Sequence, residues 1–132
     1  MEAIDFFRIH QAIENAEFSD CDLVVGIGEG GIVPAALIAA KKGHELRIVR
    51  FNYRNEKNIP QHPEPLLLDR ISIPKNIKHI LLVDDVSMSG KTMQAARTLF
   101  KDYNIKTLVL KGKADYVLLP ELKSCVKWPW SR

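Results

Sequence analysis

The chain has 132 residues, 46% of them hydrophobic, with 19 Lys and Arg against 16 Asp and Glu for a formal net charge of +3. That length fits a single domain spanning residues 1–132, able to bury about two-thirds of its unfolded surface without a disulfide or metal staple. No run approaches the ~20 apolar residues of a membrane span, and the mild basic excess is spread along the chain, suiting a small anionic ligand at least as well as nucleic acid, with no run dense enough to argue for RNA or DNA alone.

The start, Met1-Glu2-Ala3-Ile4-Asp5, is acidic and does not read as a secretory signal. Cys21 and Cys125 are far apart and form neither a metal spacing nor a disulfide framework, so a reducing, cytoplasmic setting is expected. Ile4, Phe7, Ile9, Ala12, Ile13 and Ala16 recur at helical spacing and predict a helix over residues 3–17. Residues 22–27 predict a short apolar strand, followed by a glycine turn at Gly28 to Gly31. A helix over 32–42 follows, with Pro34 tolerated in its first turn and Gly43 at its end. Residues 45–53 read as a second strand and the proline-containing stretch 54–65 as a loop. A short strand is expected within 66–73.

The most informative segment is next. Ile80, Leu81, Leu82 and Val83 form an apolar run inside a strand predicted over 77–84, buried on both faces of a parallel sheet. Asp84 and Asp85 follow where that strand should end, the edge at which open α/β sheets bind ligands. Ser87, Met88, Ser89, Gly90, Lys91 and Thr92 then form a small turn opening a helix over 92–103. Backbone N–H groups, hydroxyls and a cation at a helix N-terminus suit a phosphate. Acids beside such a cradle suggest a phosphorylated ribose. Strands over 105–110 and 116–119 and an aromatic tail, 124–132, complete the chain. Strands alternating with helices predict an α/β fold with a mostly parallel sheet. Right-handed crossovers bring Gly28–Gly31 and Asp84–Thr92 to one sheet edge.

Gly26-Ile27-Gly28-Glu29-Gly30-Gly31 also matches GxGxxG after a strand. A dinucleotide site needs an acid at the end of the next strand. That strand ends Arg47-Ile48-Val49-Arg50-Phe51-Asn52, which argues against it.

The stretch from Ile80 to Thr92 resembles the PRPP-binding motif of type I phosphoribosyltransferases (PRPP is 5-phosphoribosyl-1-diphosphate). The resemblance implies a three-layer fold with a small C-terminal hood. It implies that Asp84 and Asp85 hold the ribose hydroxyls as catalytic residues and that residues 87–92 wrap the 5-phosphate. It gives Gly28, Glu29, Gly30 and Gly31 to the diphosphate loop, with Glu29 where the family often has Arg or Lys. Mg²⁺ would offset the diphosphate charge, held indirectly near Asp84 and Asp85.

The end of the chain, Asp115-Tyr116-Val117 and then Cys125-Val126-Lys127-Trp128-Pro129-Trp130, resembles small bacterial xanthine-guanine phosphoribosyltransferases. This places Cys125 at the base-stacking position and Val126 at the edge-reading one. Lys113, with Lys111 next, would face the purine 6-oxo group, and Tyr53 would open the covering loop. Trp128 and Trp130 have a simpler reading as a surface seal or dimer contact. Met88 stands where 6-oxopurine enzymes carry an Asp near the base. The implied activity is formation of a nucleoside monophosphate from PRPP and a nucleobase, purine favoured, in nucleotide salvage, by a homodimer that binds neither membrane nor nucleic acid. The alternatives are a weak or inactive PRPP- or nucleotide-binding member of the fold, or a regulator on it that binds RNA.

Overall fold

The computed structural model describes residues 1–52, 66–67 and 71–131. Its main sheet has six strands in the order β4-β3-β2-β5-β6-β7. These are β2 (Leu23–Gly28), β3 (Glu45–Asn52), β4 (Leu66–Leu67), β5 (His79–Ser87), β6 (Asn104–Gly112) and β7 (Tyr116–Val117). All neighbours pair in parallel except β3 and β4. A separate two-stranded pair joins β1 (Glu2–Ala3) to β8 (Val126–Lys127), so the two ends of the chain are clipped together.

The apolar run of β5 is the keel of the molecule. Side chains alternate across a strand, and here the alternation divides the core. Leu81 and Val83 pack with Ile9, Ile13, Ala35 and Ile38 of helices α1 (Phe6–Asn15) and α2 (Ile32–Lys42). Ile80 and Leu82 pack on the other face with Met93, Ala96 and Phe100, from α3 (Lys91–Leu99) and its C-terminal end. Among the described residues three layers follow: two helices, the sheet, one helix.

Each helix is bounded by local chemistry. Asp5 caps α1, its carboxylate accepting Arg8 N–H at 2.9 Å. Gly43 ends α2 in the left-handed conformation at φ 71°, which costs glycine little. Gly90, at φ 79°, opens α3.

Several boundaries differ from the sequence expectation, including the last strand, expected over 116–119 and found over Tyr116–Val117. The first helix begins at Phe6 because Ile4 belongs to the terminal clip, its N–H donating to Lys127 O at 3.0 Å. β5 does not stop at Asp84: pairing of Val86 with Lys111 and Ser87 with Gly112 carries it to Ser87, and β6 correspondingly runs to Gly112. α3 closes at Leu99, and Tyr103 packs beside it, its ring 6.4 Å from that of Phe100. The strand expected within 66–73 is confined, among the described residues, to Leu66–Leu67. Tyr53 and the loop 54–65 lie outside the described residues.

No described helix is long and apolar enough to cross a membrane. Cys21 is 8% exposed, and burial, with the charges of Asp20 and Asp22 behind it, pushes its thiol up to about 11. Cys125 is exposed. A thiol reagent at pH 8 is therefore expected to modify Cys125 quickly in the native protein and Cys21 only after unfolding. Peptide mass spectrometry reads this directly, and equal native labelling of both would contradict this packing.

Candidate active site

The site grows from the carboxyl ends of two adjacent parallel strands, β2 and β5, paired through Gly26 and Val83. Beyond β2 the chain turns through Glu29, Gly30 and Gly31 into α2, with Gly31 N–H donating to Ile27 O at 2.8 Å. The Gly28–Glu29 peptide is cis. Gly31 is pressed against the neighbouring strand so closely that a Cβ there would collide with the Val83 carbonyl oxygen. Gly30 is pressed against Asp85: a Cβ would run into its carboxylate. The glycines serve close approach, and two loops distant in sequence meet through them.

Adjacent positions of a strand point to opposite faces, so the two acids line different cavities, although their side chains still meet. Asp85 faces the α2 side and lines a cavity of about 1090 Å³ with Glu29, Gly30, Val33, Val126 and Trp130. Asp84 faces the α3 side and lines a second cavity of about 350 Å³ with Ser87, Met88, Ser89, Gly90 and Thr92. A ligand spanning both would straddle the end of β5, with one acid on each flank.

The carboxylates are oriented by their own backbone. Asp85 N–H donates to Asp84 Oδ1 at 2.8 Å, and Val86 N–H to Asp85 Oδ1 at 2.7 Å. Trp130 Nε1–H donates to Asp85 Oδ2 at 3.3 Å. Burial, and then the charge of Asp85, holds the Asp84 carboxyl well above the usual carboxylate range. Asp84 thus favours a proton, a cation or a hydroxyl donor beside it.

The expected phosphate loop is gathered around the smaller cavity with two qualifications. Ser87 is the last residue of β5, 7% exposed, and its carbonyl accepts Lys113 N–H at 2.8 Å. Lys91 lines a separate depression with Phe51, Leu67 and Gln94, apart from the cradle, while its N–H reaches Ser89 Oγ at 3.4 Å. Met88 stands 63% exposed at the rim.

In the base region Val126 lines the larger cavity, and Cys125 lies one residue before it, exposed. Lys113 is tied in by its backbone, whereas the Lys111 ammonium donates to the carbonyl of Ser124, next to Cys125. The geometry thus brings the Lys111 side chain to the tail. Trp128 is a core residue, 5% exposed. The contact of Trp130 with Asp85 goes beyond both sequence expectations for it, the family's Pro-Trp pair and a surface seal or dimer contact, and no spacing in the sequence signals it. Among the described residues no three His, Cys, Asp or Glu side chains converge as a metal cluster.

A family model described as "Phosphoribosyl transferase domain" matches residues 7–130. The chain is 28% identical over 128 residues to the bifunctional protein PyrR of Limosilactobacillus reuteri, an alignment covering 85% of this chain and 71% of that protein. It is 28% identical over 116 residues to the xanthine-guanine phosphoribosyltransferase of Cereibacter sphaeroides, covering 81% and 67%. Among solved structures, a purine phosphoribosyltransferase from Pyrococcus horikoshii superposes with a TM-score of 0.79 at 21% identity, over 100% of this chain and 96% of that one.

Proposed function

Because the chain belongs to the phosphoribosyltransferase family, we propose that it transfers the phosphoribosyl group of PRPP to a nucleobase nitrogen, with a purine as the favoured acceptor. The observation that carries this reading is the meeting of Asp85 with Gly30, which joins an acid pair to a glycine loop on one side while a hydroxyl-rich loop opens on the other. In this reading Asp84 and Asp85 hold the ribose hydroxyls. Ser87, Ser89, Gly90 and Thr92 hold the 5-phosphate, with Met88 and Lys91 at its margin. Residues 28–31, at the N-terminus of α2, surround the diphosphate, where peptide dipoles favour an anion.

A base nitrogen attacks C1 of the ribose. The C1–O bond breaks, the electron pair leaves with diphosphate, and the base nitrogen gives up its proton to solvent water. Positive charge grows on the sugar beside two carboxylates, so the site's work is positioning and charge stabilisation. A Mg²⁺ ion fits the donor set: one or two carboxylates plus substrate oxygens are its usual ligands. Asp84 and Asp85 would hold it indirectly, through water or substrate oxygens, and the ion would offset the charge on the departing diphosphate. The base would rest against Val126 and Cys125, with Lys113, or Lys111 whose ammonium reaches the Ser124 carbonyl, at its oxo edge. A cytoplasmic salvage role and a homodimer go with this reading.

The test is product formation from PRPP and Mg²⁺ with xanthine, guanine, hypoxanthine, adenine, uracil and orotate offered singly. Nucleoside monophosphate and diphosphate in equal amounts from a purine are expected. Product from uracil or orotate alone would move the acceptor, and none from any base would move the reading to its alternative. That alternative, a PRPP- or nucleotide-binding protein without turnover, has one observation in its favour. Met88 lies on the rim of the phosphate cavity, where a thioether takes no proton and the 10²–10⁴-fold help of a general base is missing.

A further inference from the structure

We propose that Trp130 is a positioning residue for the Asp85 carboxylate, linking the C-terminal segment to the reacting end of β5; the inference rests on the reading of Asp85 as a sugar ligand. Besides the adjoining Asp84 side chain, three contacts confine that carboxylate. Val86 N–H holds Oδ1 at 2.7 Å, Trp130 Nε1–H reaches Oδ2 at 3.3 Å, and the Gly30 backbone closes one side. An indole N–H only donates, so it fixes the carboxylate plane. It leaves Oδ2 a second lone pair for a sugar hydroxyl.

The indole is itself well held. It stacks on Trp128, with ring centroids 5.7 Å apart and planes 7° from parallel, and Trp128 is buried. The Phe6 ring lies 6.2 Å away on α1. Ser131 closes the turn, its N–H donating to Trp128 O at 3.0 Å and its Oγ accepting Trp128 N–H at 2.9 Å. The preceding strand β8 is pinned to β1, and Lys111 holds the Ser124 carbonyl. An aromatic that merely sealed a surface would gain from stacking alone. Here the polar edge of the ring is aimed at the acid proposed to bind substrate.

Two variants separate positioning from packing. Trp130→Phe keeps an aromatic ring and removes the N–H; Trp128→Phe disturbs the same stack and leaves that N–H in place. In the ligand-free protein the two indole N–H signals are resolved by ¹H–¹⁵N NMR and assigned by these variants. Asp85→Asn is expected to move the Trp130 signal and speed its exchange with D₂O, leaving that of Trp128 unchanged. In turnover, Trp130→Phe is expected to raise the KM for PRPP about 10-fold, the scale of one hydrogen bond to a charged group at the long end of its range. The KM for the base and the melting temperature should hold, and Trp128→Phe should retain the wild-type KM for PRPP. An indole signal indifferent to Asp85→Asn, a wild-type KM in Trp130→Phe, or equal effects from both Trp variants would overturn the proposal. A wild-type protein that neither binds nor turns over PRPP would sink the sugar-site reading, and the positioning role with it. A normal wild type with an unaltered Trp130→Phe would sink the positioning role alone.

Discussion

Gly30→Ala is expected to keep the fold and lose about 10²-fold in PRPP turnover, the scale on which a misplaced group lowers a rate. The new Cβ would collide with the Asp85 carboxylate. A side chain can swing away where a backbone cannot, so the fold survives, but Asp85 leaves its contacts with Val86 and Trp130. Gly31→Ala is the contrasting case. Its Cβ meets the Val83 carbonyl and the Ile27 backbone, atoms fixed by the pairing of β2 and β5. Overpacking of that kind costs about 3 kcal/mol, or roughly 10 °C in melting temperature for a domain of this size. Adjacent glycines thus separate a site lesion from a folding lesion. Calorimetric melting and PRPP turnover on both variants test the pair, and a Gly30→Ala protein with normal turnover would remove Asp85 from the site.

Asp85→Asn and Asp84→Asn should each lower turnover roughly 10²-fold, the cost of losing a hydrogen bond to a charged group where its partner stays buried. Their effects on stability should differ. In Asp85→Asn the amide must present its NH₂ to either Val86 N–H or Trp130 Nε1–H, a donor facing a donor. In Asp84→Asn the oxygen that accepts Asp85 N–H is retained. Burial and the neighbouring charge raise the Asp84 carboxyl in the folded state. The native protein therefore binds more protons than the unfolded chain between the ordinary Asp value, ~3.9, and the raised one. Stability falls as pH climbs through that window, and ionised Asp84 costs stability above it. Asp84→Asn should accordingly be more stable than the wild type at neutral pH and lose that advantage below about pH 4. Denaturant melts at pH 4 and pH 7 measure this, and a less stable Asp84→Asn at pH 7 would contradict the origin given for the shift.

The fold was legible where local chemistry punctuates it. Gly31 and Gly43 bracket an alanine-rich run, and α2 begins and ends where the residues indicate. The apolar run of β5 could only be a buried strand, and its two faces serve two cores. Less legible was anything set by distant pairing. Glu2–Ala3 and Val126–Lys127 are strands only because they meet each other. β5 outruns its apolar stretch because β6 continues to pair with it. The acid pair was evident as a site candidate; its division between two cavities follows from period-two alternation and became readable once the strand was seen to continue through both residues. The approach of Trp130 to Asp85, and of Lys111 to Ser124, depends on how the tail folds back, which no spacing encodes.

The central claim is that residues 28–31, the acid pair and the loop from Ser87 to Thr92 form one PRPP site. Titration calorimetry of PRPP with Mg²⁺ into the wild type and Asp85→Asn tests it most directly, because binding is required whether or not turnover follows. Saturable one-to-one binding, weakened roughly 10²-fold in Asp85→Asn, is the expected result. No heat of binding to the wild type, or equal affinity in the two proteins, would contradict the account.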